Sequence, residues 1–172
     1  MKTFLLGLVV GLLVLPASVY VYLRSGYAQV ATSATPLPFE RQLARMALHA
    51  RMSKEVPVQS PIPATEPSLL AGAILYREYC AVCHGLAGVP QTPTAKGMFP
   101  KPPELMRGKG VTDDPAGETY WKAANGIRLT GMPGYRGSLS DEQLWQVSQF
   151  LATADKLPQS VRDLMALPLL AK

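Results

Sequence analysis

EYCAVCHG, residues 78–85, holds Cys80 and Cys83, both cysteines of a 172-residue chain, and His84, one of its two histidines. Two thiols and an imidazole within about one helical turn are a chemical site before they are a structural one. A disulfide between Cys80 and Cys83 would close a very small loop and stabilise little. A thioredoxin-type pair follows a strand and opens a helix, whereas here a helical pattern leads into the motif. A structural zinc site takes four ligands, and the fourth would have to be His49, across a proline-rich stretch.

C-x-x-C-H is instead an attachment pattern for haem c. Each thiol adds to one vinyl group, giving two thioethers. A spacing of three on a helix brings Cys80 and Cys83 to neighbouring positions along one porphyrin edge. His84, held just beyond, can offer a ring nitrogen to the iron.

Working outward, Ser68 to Cys83 reads as a helix. Ser68 can cap it, and Leu69, Gly72, Tyr76 and Tyr79 fall at helical spacing. After Gly85 come about 30 residues rich in Pro and Gly, too irregular for long elements. Asp114-Pro115 is a helix start, and Asn125-Gly126 a stop after about Ala124. Ser140-Asp-Glu-Gln143 is a capping box. The helix it opens carries Leu144, Val147, Phe150 and Leu151 on one face and is expected to end near Pro158. Three helices with irregular connections and almost no strand signal describe a small all-α domain over 68–157, followed by a partly apolar tail, 158–172, expected to pack on it.

Upstream, residues 4–23 carry no charge. As a helix they span roughly 30 Å, the thickness of a bilayer's hydrocarbon core. Residues 1–24 are therefore expected to be a transmembrane anchor; the alternative is a cleaved signal peptide, with Gly26 and Ala28 near the cleavage site. Residues 25–67 read as a linker. Within it, 39–55 form a short amphipathic helix with Phe39, Leu43, Met46, Ala47 and Ala50 on one stripe, and 56–67, with four prolines, form a semi-rigid spacer. The formal net charge is +5. It is spread along the chain without a basic stripe, which gives no support to nucleic-acid binding.

Over roughly 68–157 the sequence resembles class I cytochromes c. In that family a glycine eight residues before the first cysteine, and an aromatic four residues later, pack against the C-terminal helix; Gly72 and Tyr76 match, with Phe150 and Leu151 opposite them. The family's G-P-x-L segment corresponds to Pro102-Pro103-Glu104-Leu105, with Pro102 in the glycine position. There the Pro103 carbonyl would accept a hydrogen bond from His84, fixing the imidazole and raising its basicity. The resemblance implies Met132, in NGIRLTGMPGY, as the second axial ligand, with Met98 and Met106 as packing in the pocket. Trp121 and Arg128 are candidate donors to a haem propionate. Leu105, Ile127, Leu129, Leu139 and Val147 are expected to line the crevice, and Tyr135 to wall it.

Histidine–methionine ligation raises the potential and leaves no open iron position. The implied function is one-electron transfer by a single covalent haem c, with the domain on the periplasmic side of the bacterial inner membrane. The protein would be a tethered shuttle between redox partner proteins or a haem subunit of a respiratory or photosynthetic oxidoreductase complex. It would not be an enzyme in itself. The alternative is a haem sensor or peroxidase-like protein whose Met132 leaves the iron.

Overall fold

A computed structural model describes residues 1–106 and 114–168. The chain divides into two compact units, Met1–Glu40 and Arg41–Lys172. All regular structure among the described residues is helical, as the sequence predicts. The first unit holds α1 (Lys2–Arg24), which runs through Pro16 and buries none of its side chains. By length and composition it can cross a membrane.

The second unit takes in all of α2 (Glu40–Glu55) but its first residue. The structure differs here from the expected stripe. Leu43 and Met46 are exposed, and the buried side chain is Met52, on the other side of the helix. The following residues do not behave as a free spacer. Pro57 O lies so close to Gly117 that a Cβ there would come within 2.0 Å of it. Ile62 packs against the core, and its carbonyl accepts from Gln149 Nε2 at 3.2 Å. Proline fixes φ without requiring a backbone donor, so this stretch lies along the domain with few hydrogen bonds of its own to satisfy. Residues 41–67, expected from sequence to be linker, thus pack with the domain.

α3 (Glu66–Leu75) starts two residues before the expected Ser68. Its cap is Thr65, whose hydroxyl accepts from Ser68 N, with proline in the first turn. The helix then widens into one π turn, Tyr76–Cys80, and continues as α4 (Ala81–His84), where Gly85 at φ 76° ends it. Among its described residues, the expected irregular stretch contains one short helix, α5 (Pro93–Gly97), capped by Thr92.

α6 (Ala116–Asn125) ends at Gly126, φ 68°, as predicted. Asp114 does not cap it; its carboxylate pairs with Lys122, about two turns up the helix, instead. α7 (Asp141–Ala152) has the predicted capping box, Ser140 N to Gln143 Oε1 at 2.8 Å and Gln143 N to Ser140 Oγ at 3.2 Å. It stops at Thr153, short of the expected Pro158. α8 (Gln159–Ala166) follows and buries Val161 and Met165. The tail therefore packs on the domain as expected, while Leu169 and Leu170, also part of it by sequence, lie outside the described residues.

The core forms where α7 crosses α3 and α6. A Cβ on Gly72 would lie 2.2 Å from Gln146 O, so the two helix backbones touch there. One turn on, the Tyr76 and Phe150 rings meet at 5.5 Å, both wholly buried with Leu144. Burying each such side chain contributes about 1.5–3 kcal/mol. Tyr120 stacks on Trp145 at 4.2 Å and locks α6 to α7. At the end of the α3–α4 helix, His84 meets the segment that carries Pro103 and Leu105.

Candidate functional site: a cysteine–histidine turn and a methionine loop

Cys80 ends the π turn, and Cys83 and His84 share the single turn of α4. Both thiols are free and half-buried. Burial, and secondarily the neighbouring Cys83, push the Cys80 thiol up to about 12. It therefore stays protonated at neutral pH. A π turn inserts one residue into the helical register, a distortion that recurs at functional sites. The turn is held from outside: Tyr76 OH donates to Gly85 O at 2.7 Å and Thr92 Oγ1 to Val82 O at 2.6 Å.

His84 Nδ1 lies 2.8 Å from Pro103 O. A carbonyl only accepts, so this bond places the proton on Nδ1 and leaves the Nε2 lone pair free. Burial lowers the His84 pKa, opposed by the Pro103 hydrogen bond, which raises it. The net lowering favours the neutral ring that a metal requires. Leu105 N returns a second bond to His84 O at 3.3 Å. Pro102, where the resembled family has glycine, is held through its carbonyl by Gln91 Nε2 at 3.1 Å. Gln91 is buried, and sequence reasoning misses it. A lone glutamine in a Pro/Gly-rich stretch carries no pattern to mark it.

Met132 lies half-buried in the loop between α6 and α7. The loop is wound on itself: Ile127 N donates to Met132 O at 3.2 Å, and Met132 N to Thr130 Oγ1 at 3.1 Å. Gly126 is required there, since a Cβ would meet Gly134 N at 2.6 Å. Met98 packs its methyl group onto Gly131, where a Cβ would come within 1.9 Å of Met98 Cε. Met106 packs at the edge of the core and Met165 within it, on α8. Tyr135 crosses from the loop to the cysteine turn; its hydroxyl donates to Tyr79 O at 3.0 Å, and the two rings meet edge to face at 5.7 Å. Burial, then the nearby Cys80, raises its pKa and keeps the hydroxyl a donor.

Other expectations fall differently. Trp121 gives its indole N–H to Glu55 Oε2 of α2, at 3.1 Å, so this donor serves the α2–α6 contact. Arg128 is exposed. Leu129 is 92% exposed at φ 61° and is no part of an apolar wall. Its position in a tight turn turns the side chain to solvent. Leu139 and Val147 are buried in the core, with Leu105 packed against it and Ile127 half-buried. His49 is exposed on α2, beside Met52, Ser53, Val56 and Glu118.

Two free thiols, a histidine with one nitrogen already oriented, and a thioether in a shaped loop fit a covalent haem. Cys80 and Cys83 would hold its edge, and His84 and Met132 its iron. Residues 67–151 match the family model described as cytochrome c oxidase, cbb3-type, subunit III. Over 152 residues the chain is 24% identical to the quinohemoprotein alcohol dehydrogenase ADH IIB of Pseudomonas putida, a match covering 79% of this chain and 21% of that protein. A chain of the Kuenenia stuttgartiensis reducing HAO-like protein complex is 29% identical, with a TM-score of 0.49, covering 58% of this chain and 49% of that one. The protein thus spans only a part of each relative. Cys80-x-x-Cys83-His84 and the family match together support a c-type cytochrome domain over residues 67–151, and the regular structure among its described residues is all helical, as expected of one.

Proposed function

We propose that the protein is a membrane-anchored mono-haem cytochrome c. In this reading Cys80 and Cys83 would carry the haem through thioethers, and His84 and Met132 would be the ligands of its iron. The bound haem supplies a one-electron couple between ferric and ferrous iron. The chain's own residues do the rest. Pro103 O fixes the His84 ring and its tautomer, Gln91 holds the carbonyl-bearing segment in place, and the Gly126–Gly134 contact shapes the Met132 loop. The observation that carries the reading is the 2.8 Å contact between His84 Nδ1 and Pro103 O, which leaves the Nε2 lone pair available to a metal.

In the same reading α1 anchors the chain in the bacterial inner membrane, with the haem domain in the periplasm. Residues 41–67 belong to the domain's own compact unit. The role is electron exchange with a redox partner or within an oxidoreductase complex. The Pseudomonas putida relative, an alcohol dehydrogenase by name, points the same way.

The test is Met132→Ala. The expected protein keeps its covalent haem, loses the iron–sulfur absorbance, titrates at a lower potential and binds carbon monoxide. An unchanged spectrum and potential would remove Met132 from the iron. Mild-detergent extraction of native membranes, with mass spectrometry of the haem-containing band, separates a fixed subunit, which runs with stoichiometric partners, from a tethered carrier, which runs alone. The same spectrum shows whether residues 1–24 are retained or cleaved as a signal peptide.

A further inference from the structure

We propose that Tyr135 is a positioning residue for the iron ligands, a strut whose hydroxyl ties the Met132 loop to the turn bearing Cys80 and His84. The inference deepens the function proposed above and rests on Met132 as a ligand. Tyr135 follows Met132 by three residues, and its acceptor, Tyr79, immediately precedes Cys80. One side chain therefore connects the segment that offers the thioether to the segment that fixes the haem and its histidine.

The residue is built to hold a position. Its backbone N–H donates to Ala123 O of α6 at 2.9 Å. Its carbonyl accepts from Ser138 N and Leu139 N, each at 2.8 Å, starting the turn into α7. Its ring is pinned edge-on against Tyr79. By contrast, the bonds among Ile127, Thr130 and Met132 are internal to the loop. They set its shape and leave its placement relative to Cys80 and His84 undetermined. A thioether is a neutral ligand held by placement as much as by bond strength. A neutral hydrogen bond across the two segments then favours the ligated arrangement over a displaced one.

The experiment is Tyr135→Phe in the full-length haem-loaded protein, which keeps the ring and removes only the hydroxyl. Tyr120→Phe is the control, since Tyr120 OH also donates to a neighbour, Asp141, within the α6–α7 packing. Ferric iron–sulfur absorbance is followed against pH, and the midpoint potential is measured. Tyr135→Phe is expected to retain full covalent haem and to shift the methionine-displacement equilibrium roughly three- to tenfold toward loss, with a lower potential. Tyr120→Phe is expected to move neither. A wild-type band and potential in Tyr135→Phe, or an equal shift in Tyr120→Phe, overturns the strut and leaves Met132 as ligand intact. Absence of the iron–sulfur band from the wild-type protein overturns the ligand reading, and the strut with it. Should Tyr135→Phe fail to mature, native-state hydrogen exchange on the wild type decides: joint opening of peptides 76–84 and 127–135 supports the strut, and independent opening refutes it.

Discussion

Gly72→Ala probes the contact on which the whole domain turns. A Cβ at position 72 would sit 2.2 Å from Gln146 O, 2.6 Å from Gln146 C and 2.9 Å from Phe150 Cβ. Two of these three atoms are α7 backbone and cannot swing away as a side-chain tip would. Restoring ordinary contact near about 3.5 Å requires α3 and α7 to part by roughly 1 Å. That loosens the Tyr76–Phe150 pair and the buried residues around it. Overpacking of this kind costs about 1–3 kcal/mol, and the rigid partner places it near the upper end. Alanine recovers about 1 kcal/mol of helix propensity over glycine. The expected net loss is about 2 kcal/mol, or about 8 °C in Tm for a domain of this size. Thermal unfolding of the full chain in detergent, followed by far-ultraviolet circular dichroism, reads it. Gly97→Ala is the internal control, because a methyl group there would meet nothing within 4 Å, and it should change stability by less than about 0.5 kcal/mol. A Gly72→Ala Tm at or above wild type would refute the close crossing of α3 and α7.

Gly117→Ala would drive a methyl into Pro57 O and Val56. It should release residues 41–62 from the domain, seen as faster hydrogen exchange and proteolysis there while α7 stays protected. Cys80→Ala or Cys83→Ala should abolish one thioether and impair covalent haem attachment. Intact two-thioether haem in either variant, by mass spectrometry, would refute the motif reading. In the haem-free chain the His84 pKa is lowered by burial, so the unfolded chain binds the proton more readily. The stability that the neutral ring contributes is present above the unfolded-state pKa of about 6.5 and is lost as pH falls below it through the folded value. Urea midpoints should decline over that range in the wild type and less in His84→Gln.

The local elements are legible because their signals are local. The Ser140–Gln143 capping box, the Asn125-Gly126 stop and the C-x-x-C-H spacing each depend on residues within one turn of one another. The pairing of Gly72 and Tyr76 with Phe150 comes from family resemblance, and packing geometry agrees with it at 2.9 and 5.5 Å. What sequence periodicity misjudges is partnership. The apolar stripe of α2 suggests a buried face, yet Met52 is the side chain that packs and Trp121 turns its donor to Glu55. A helix with apolar residues on two sides does not say which side meets a neighbour. Asp114 shows the same limit: a cap and an ion pair compete for one carboxylate, and the nearness of Lys122 in space decides.

The sequence by itself determined where the proposed chemistry sits, since thiols three apart with histidine next can be recognised without coordinates. Only the tertiary structure decided how that chemistry is held. Gln91 on the Pro102 carbonyl, Tyr135 on Tyr79 and the 56–62 segment along the domain are contacts between residues distant in the chain. No local pattern records them, because each depends on where α3, α6 and α7 come to rest when they bury one shared core.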